Sequence, residues 1–165
     1  MTDIDRTPSD FGRVLTMGVA LVAVLIAAYA GPETVLLALA GVLSIAIGVL
    51  RGRRVAVTIG ASVMFVALLL AGVSGLSIPL TLFGVSATVV AWDIGENAIG
   101  LGEQLGRHAP TKRAQLVHAK GSFVVATFAC VVGYGAYVGA AGTDSLTALV
   151  LLLVGALVLT SVLRG

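Results

Sequence analysis

Apolar residues run along this chain in long unbroken blocks, without the two-residue alternation of a half-buried strand. A bilayer core of about 30 Å takes roughly 17–25 helical residues to cross, and the blocks have that length. Residues 14–30 form the first, ended by Gly31, Pro32 and Glu33, a turn signal because proline beside glycine interrupts a helix. Residues 34–50 form the second, closed by Arg51, Arg53 and Arg54. Nothing between Val55 and Trp92 is charged, a stretch too long for one crossing and suited to two. Val73, Ser74 and Gly75 make the natural break, giving spans over 55–73 and 76–92. Residues 121–141 and 146–163 complete the set around a turn at 142–145. The pattern predicts an all-α integral membrane bundle of six transmembrane helices in three hairpins, with one amphipathic cytoplasmic helical segment over 93–120.

Charge placement orients these spans. Arg6 and Arg13 precede the first block, Arg51, Arg53 and Arg54 follow the second, and Arg107, Lys112, Arg113 and Lys120 follow the fourth. Arg164 follows the last, and the alternate turns carry only Glu33 and Asp144. Positive charge resists outward transfer across the membrane, so this bias sets topology. The expectation is a multi-pass protein of the cell membrane with residues 1–13, 93–120 and 164–165 in the cytoplasm. Spans one to four then occupy 14–92, and spans five and six occupy 121–163. Without the turn at Gly75 the basic 93–120 loop would lie outside, so the charges decide for six spans over five. Phe11, Trp92 and Phe123 fall near the inner interface on this reading, and Tyr29, Tyr134 and Tyr137 near the outer one. Thr7, Pro8 and Asp10 look like a helix start with Thr7 as cap, Pro8 in the first turn and Asp10 reaching back.

Composition narrows the class. The chain is 58% hydrophobic and 11% charged, where soluble domains have about a quarter charged residues, so a soluble domain is excluded. The basic residues sit at membrane edges, which removes the case for nucleic acid. Cys130 is the single cysteine, so no intrachain disulfide forms, and it reads as a small hydrophobe between helices. Asp3, Asp5 and Asp10 stand among the first 13 residues and no cleavage site follows, so the first block reads as a retained span.

The six apolar blocks contain no Asp, Glu, Lys, Arg or His. Ionisable groups at membrane depth mark ion paths, relays and substrate sites, so their absence speaks against pumps, proton-coupled or metal transporters and intramembrane proteases. Ser44, Ser62, Ser86 and Thr88 read as helix-to-helix hydrogen bonders. Small residues recur at four-residue spacing: Ala23, Ala27 and Gly31; Ala40, Ser44 and Gly48; Ala67, Ala71 and Gly75; Ala87, Ala91 and Gly95; Gly135 and Gly139. Such stripes let backbones approach within one bundle, or between copies in a homo-oligomer. The spacings Gly18 to Gly41 and Gly60 to Gly84 are similar and hint at a duplication.

Polar variety is concentrated in residues 93–120. Ile94, Ala98, Leu101 and Leu105 make an apolar stripe, with Asp93, Glu96, Asn97, Glu103, Gln104 and Arg107 elsewhere around the helix. Glu103 and Arg107 have the favourable four-residue spacing of a helical ion pair. Gly95, Gly100, Gly102 and Gly106 are unusual there, since each weakens a helix by about 1 kcal/mol against alanine. They imply close packing on another helix or a bend. Pro110 ends this piece, and 111–120 starts a second helix running into the fifth span. Asp93, Glu96, Glu103, His108 and His118 match no metal-ligand spacing, and no cofactor is implied. Asp93, Glu96, Glu103, Arg107 and His108 are candidates for docking a partner protein. Lys112, Arg113 and Lys120 are candidates for contact with anionic lipid headgroups.

Trp92-Asp93 leading into Gly95-Glu96-Asn97, then Leu101 to Arg107, then Lys112 to His118, resembles an uncharacterised family of small haloarchaeal membrane proteins. The likeness is concentrated in residues 92–121 and brings no catalytic or binding residue with it. It implies a membrane component of an assembly or maturation system alongside a MoxR-type ATPase. Taken together, the expectation is a non-catalytic membrane subunit or scaffold. A small channel or facilitator for a neutral solute is the alternative, because carbonyls and hydroxyls can line a path without charges. A headgroup enzyme using Asp93, Glu96 or His108 is a more distant one, lacking an Asp-rich signature.

Overall fold

A computed structural model describes residues 5–140. It contains five helices in this range: α1 (Asp10–Ala28), α2 (Pro32–Arg51), α3 (Arg54–Val73), α4 (Ile78–Leu105) and α5 (Lys112–Ala140). There is no strand among the described residues. All five helices are long and apolar enough to cross a membrane. The expected sixth span at 146–163 and its turn lie outside the described residues. Met1–Cys130 forms one compact unit; a second begins at Val131, where the Tyr134 and Tyr137 rings stack at 6.4 Å.

Local chemistry sets the helix ends. Ser9, not Thr7, caps α1, its hydroxyl accepting the Gly12 N–H at 3.3 Å. Thr7 is diverted because Asp5 Oδ1 accepts both its N–H, at 2.9 Å, and its hydroxyl, at 2.7 Å. These bonds, the backbone one first, hold the exposed Asp5 carboxyl below the usual carboxylate range. Pro32 opens α2 where its missing N–H is harmless. Gly52 (φ 64°) and Gly75 (φ 101°) take the left-handed turns that close α2 and follow α3.

Helix α4 has 28 residues, about 42 Å at 1.5 Å per residue, which exceeds the bilayer core. The stretch 93–105 continues the fourth span as the uninterrupted end of α4 and does not bend away from it. Its buried face also differs from the expected stripe. Ile94, Gly95, Ala98, Ile99 and Gly102 are buried, whereas Leu101 is half-buried and Leu105 is 58% exposed. The glycines, which count as polar spacers in a hydrophobic pattern, are part of the packed face.

Helices α1 to α4 enclose a core in which Ile45, Val49, Val57, Met64, Leu68 and Ile99 are fully buried. In lipid, close van der Waals packing drives helix association, so the small residues are decisive. A Cβ on Gly41 would lie 2.7 Å from the Gly60 carbonyl oxygen, and one on Gly60 would lie 2.5 Å from that of Gly41. Of the expected seams, Ala23 with Ala27, Ala67 with Ala71, and Ala87 with Ala91 and Gly95 are buried. On α2 the seam shifts to Ala38, Gly41, Ile45 and Gly48, leaving Ala40 exposed. Among the described residues, nothing lies within 4 Å of Gly135 or Gly139 in the direction of a side chain. Gly41 and Gly60 face each other, while Gly18 has nothing within 4 Å in the direction of a side chain among the described residues.

Candidate functional site

The start of α1, the end of α2, the start of α3, the end of α4 and the start of α5 meet at one end of the bundle. Arg13 Nη2 donates to the Leu50 carbonyl at 3.4 Å, tying α1 to α2. The buried Gln115 Nε2 donates to Ser9 Oγ at 2.9 Å and Thr111 Oγ1 at 3.1 Å, tying α5 to α1. Every Lys and Arg among the described residues falls toward this end, while Tyr29, Glu33 and Gly75 mark the other. The charge separation read from the sequence is thus a separation in space.

Arg54 is the hub. Its Nη1 reaches Glu96 Oε2 and its Nη2 reaches Glu103 Oε2, each at 2.8 Å, across 42 and 49 positions of sequence. Glu96 and Glu103 stand seven apart, two turns along one helix face, so one guanidinium spans both. Gly100 lies between them, and a Cβ there would come within 3.1 Å of Arg54 Nη2. The hydrogen bond from Arg54 lowers the Glu103 pKa, and the same bond, ahead of that to Glu96, raises the Arg54 pKa. The expected Glu103–Arg107 pair does not form. Helix α4 ends at Leu105, Gly106 turns the chain at φ 81°, and Arg107 instead binds Asp10 at 2.6 Å and Asp5 at 3.7 Å.

Replacing Arg54 with glutamine will lower the melting temperature of the detergent-solubilised protein. The pairs are partly exposed, so the expected loss is about 1 kcal/mol. Because the folded-state pKa of Glu103 is depressed, its contribution is present above the ordinary carboxylate value. It disappears as pH falls through the lower folded value. Melting curves of wild type and Arg54→Gln should accordingly converge in acid; a constant gap at all pH values would contradict the assignment.

A second cluster joins α4 to α5. His118 Nε2 lies 2.8 Å from Asp93 Oδ2 without the alignment of a hydrogen bond, and Ser122 Oγ donates to that same oxygen. The Ser122 hydroxyl also sits 3.1 Å from the His118 carbonyl. An Asp, a His and a Ser are therefore adjacent, but both partners converge on the carboxylate. A nucleophile relay needs the imidazole on the serine hydroxyl, so this arrangement does not activate Ser122. Farther along the pair, Ser86 Oγ and Cys130 Sγ are 2.9 Å apart, giving the cysteine a polar contact that its apolar surroundings in the sequence do not suggest.

The remaining expected residues scatter around this end. His108 is exposed in the α4–α5 connection. Lys112 Nζ stands 5.2 Å from the Phe11 ring centroid, and Arg113 and Lys120 are exposed. Asp93, Glu96, Glu103 and Arg107 are engaged with other parts of the chain. Sequence reasoning missed Arg54, Ser122 and Gln115 as site residues. Only the seven-residue spacing of Glu96 and Glu103 signalled that a bridging cation was needed. No group of three or more His, Cys, Asp or Glu side chains suited to a metal occurs among the described residues.

Two cavities adjoin the Asp93–His118 contact. One is an apolar groove of about 740 Å³ between α4 and α5, including Leu82, Val85, Val89, Val125 and Ala129, with Asp93, His118 and Ser122 also on its wall. The other is a polar cleft of about 360 Å³ lined by Arg54, Asp93, Glu96, Asn97, Gln104 and His118, together with Gly100 and Leu101. Among curated proteins and among solved structures nothing matches this chain. Residues 6–160 match the profile of a family of unknown function (DUF7519), and the chain belongs to that family.

Proposed function

We propose that this protein is a non-catalytic, multi-pass subunit or scaffold of the cell membrane, with its basic end in the cytoplasm. Its sixth span completes a third hairpin, and a cytoplasmic or membrane partner docks on the 93–120 end. The MoxR-type system suggested by the sequence resemblance is one such partner. The observation that carries this reading is the sealed interior of α1 to α4, where Ile45, Met64, Leu68 and Ile99 fill the space a conducting path would need. The convergence of His118 and Ser122 on one carboxylate adds support, because it leaves no activated nucleophile. His108 and Gln104 are exposed near the pairs made by Arg54 and Arg107, giving the partner a rigid polar surface.

Two measurements test this together. The purified chain in liposomes should pass glycerol no faster than protein-free vesicles. A photoreactive residue at position 108 should crosslink to one distinct protein in native membranes. Glycerol flux from the chain alone, or crosslinks only to lipid and to other copies, would overturn the subunit reading and favour the facilitator.

A further inference from the structure

The α4–α5 groove and the polar cleft share two wall residues, Asp93 and His118, so an apolar cavity and a polar one meet at a single boundary. The groove has the size of small-molecule sites, which run to about 300–1,000 Å³. At the polar boundary, Glu96 Oε1 is buried with no hydrogen-bond partner among the described residues, whereas His118 Nε2 lies 2.8 Å from Asp93 Oδ2. A buried polar atom left unpaired is destabilising, so the Glu96 oxygen calls for a donor. Charge narrows what that partner is. Asp93 already meets Ser122 and His118, and the one arginine on the cleft wall, Arg54, is occupied by Glu96 and by Glu103 beside the cleft. The cleft therefore favours a group that donates hydrogen bonds over one that only accepts them.

We infer that the groove binds one acyl chain of a bilayer lipid whose headgroup, bearing hydrogen-bond donors, sits in the cleft against Glu96 and Asp93. The apolar lining of Leu82, Val85, Val89 and Val125 takes the chain. Trp92, on the same wall, donates its indole N–H to Thr58 Oγ1 at 3.2 Å and so holds its ring edge-fixed at the level where chain gives way to headgroup. An ammonium or hydroxyl headgroup satisfies the open Glu96 oxygen.

Phosphatidylethanolamine and phosphatidylcholine carry the same net charge but differ in N–H donors, so they separate recognition from mere wetting of an apolar surface. Each, with a photoreactive acyl chain, is to be incorporated in vesicles with the intact protein, and the labelled peptides mapped. Labelling of the 82–90 and 117–130 peptides should be at least several-fold higher with phosphatidylethanolamine. Glu96→Gln, which keeps the side-chain shape, should reduce that ratio toward one without reducing total labelling. Val125→Trp should block labelling by both lipids, with size-exclusion behaviour confirming that each variant folds. Equal labelling by the two lipids, label spread uniformly over all helices, or an unlabelled groove would each overturn the inference.

Discussion

Replacing Gly60 with leucine will remove nearly all folded protein from the membrane fraction. A Cβ there would stand 2.5 Å from the Gly41 carbonyl and 2.7 Å from the Ile45 nitrogen, and backbone atoms cannot rotate out of the way. Helices α2 and α3 must separate, which breaks the contact that buries Ile45 and Met64. Overpacking a core typically costs 1–3 kcal/mol where side chains can yield, so about 3 kcal/mol or more is expected here. That is a large part of a total stability of about 5–15 kcal/mol. Recovery of monodisperse protein by size-exclusion chromatography after gentle solubilisation measures the effect. Gly18→Leu is the control, because none of the described residues lies within 4 Å of that position in the direction of a side chain. Equal losses from both variants would contradict the packing argument.

The second large effect is expected from Gly102→Val. A Cβ at this position would lie 2.7 Å from the Thr7 carbonyl oxygen and 2.9 Å from that of Arg6. The N-terminal segment of residues 5–9 crosses α4 at this point and is fastened there by Asp5 O accepting the Arg107 N–H at 2.8 Å. Valine would lift the segment off α4 and release Arg107 from Asp5 and Asp10. Limited proteolysis should then clip the N-terminus at least tenfold faster, while the spans stay inserted. Unchanged cleavage kinetics would show that the segment is not held by this contact.

Much of the helical plan was legible because it rests on strong local signals. Gly31 with Pro32 and Gly75 after Ser74 mark turns through backbone conformations that few other residues accept, and the arginines from Arg51 to Arg54 mark the end of α2. Hydropathy located the apolar stretches from 14 to 92, since lipid admits only helices with satisfied backbones, and turn residues with the charge pattern divided them into spans. What could not be read was long-range. Arg54 counted only as one more positive charge until the fold brought it to Glu96 and Glu103. The glycines of the 93–106 stretch implied close packing or a bend without naming what they meet; Gly95 packs against Val57, Thr16 and Val49 and Gly102 against the N-terminal segment. A hydrophobic pattern scores side chains and so cannot name the partner of a face that has none. The α1 cap moved from Thr7 to Ser9 through a local competition: two hydroxyl residues flank Pro8, and Asp5 decides between them.

In the proposed topology the basic end of the bundle, where Arg54 clamps α4, faces the cytoplasm, with Glu33 on the other side of the membrane. In a Cys130→Ala background, single cysteines at Gln104 and at Glu33, both exposed positions, report this directly in intact cells. A membrane-impermeant maleimide should label the cysteine at 33 and reach that at 104 only after the cells are lysed. Labelling at 104 in intact cells, with 33 protected until lysis, would contradict it.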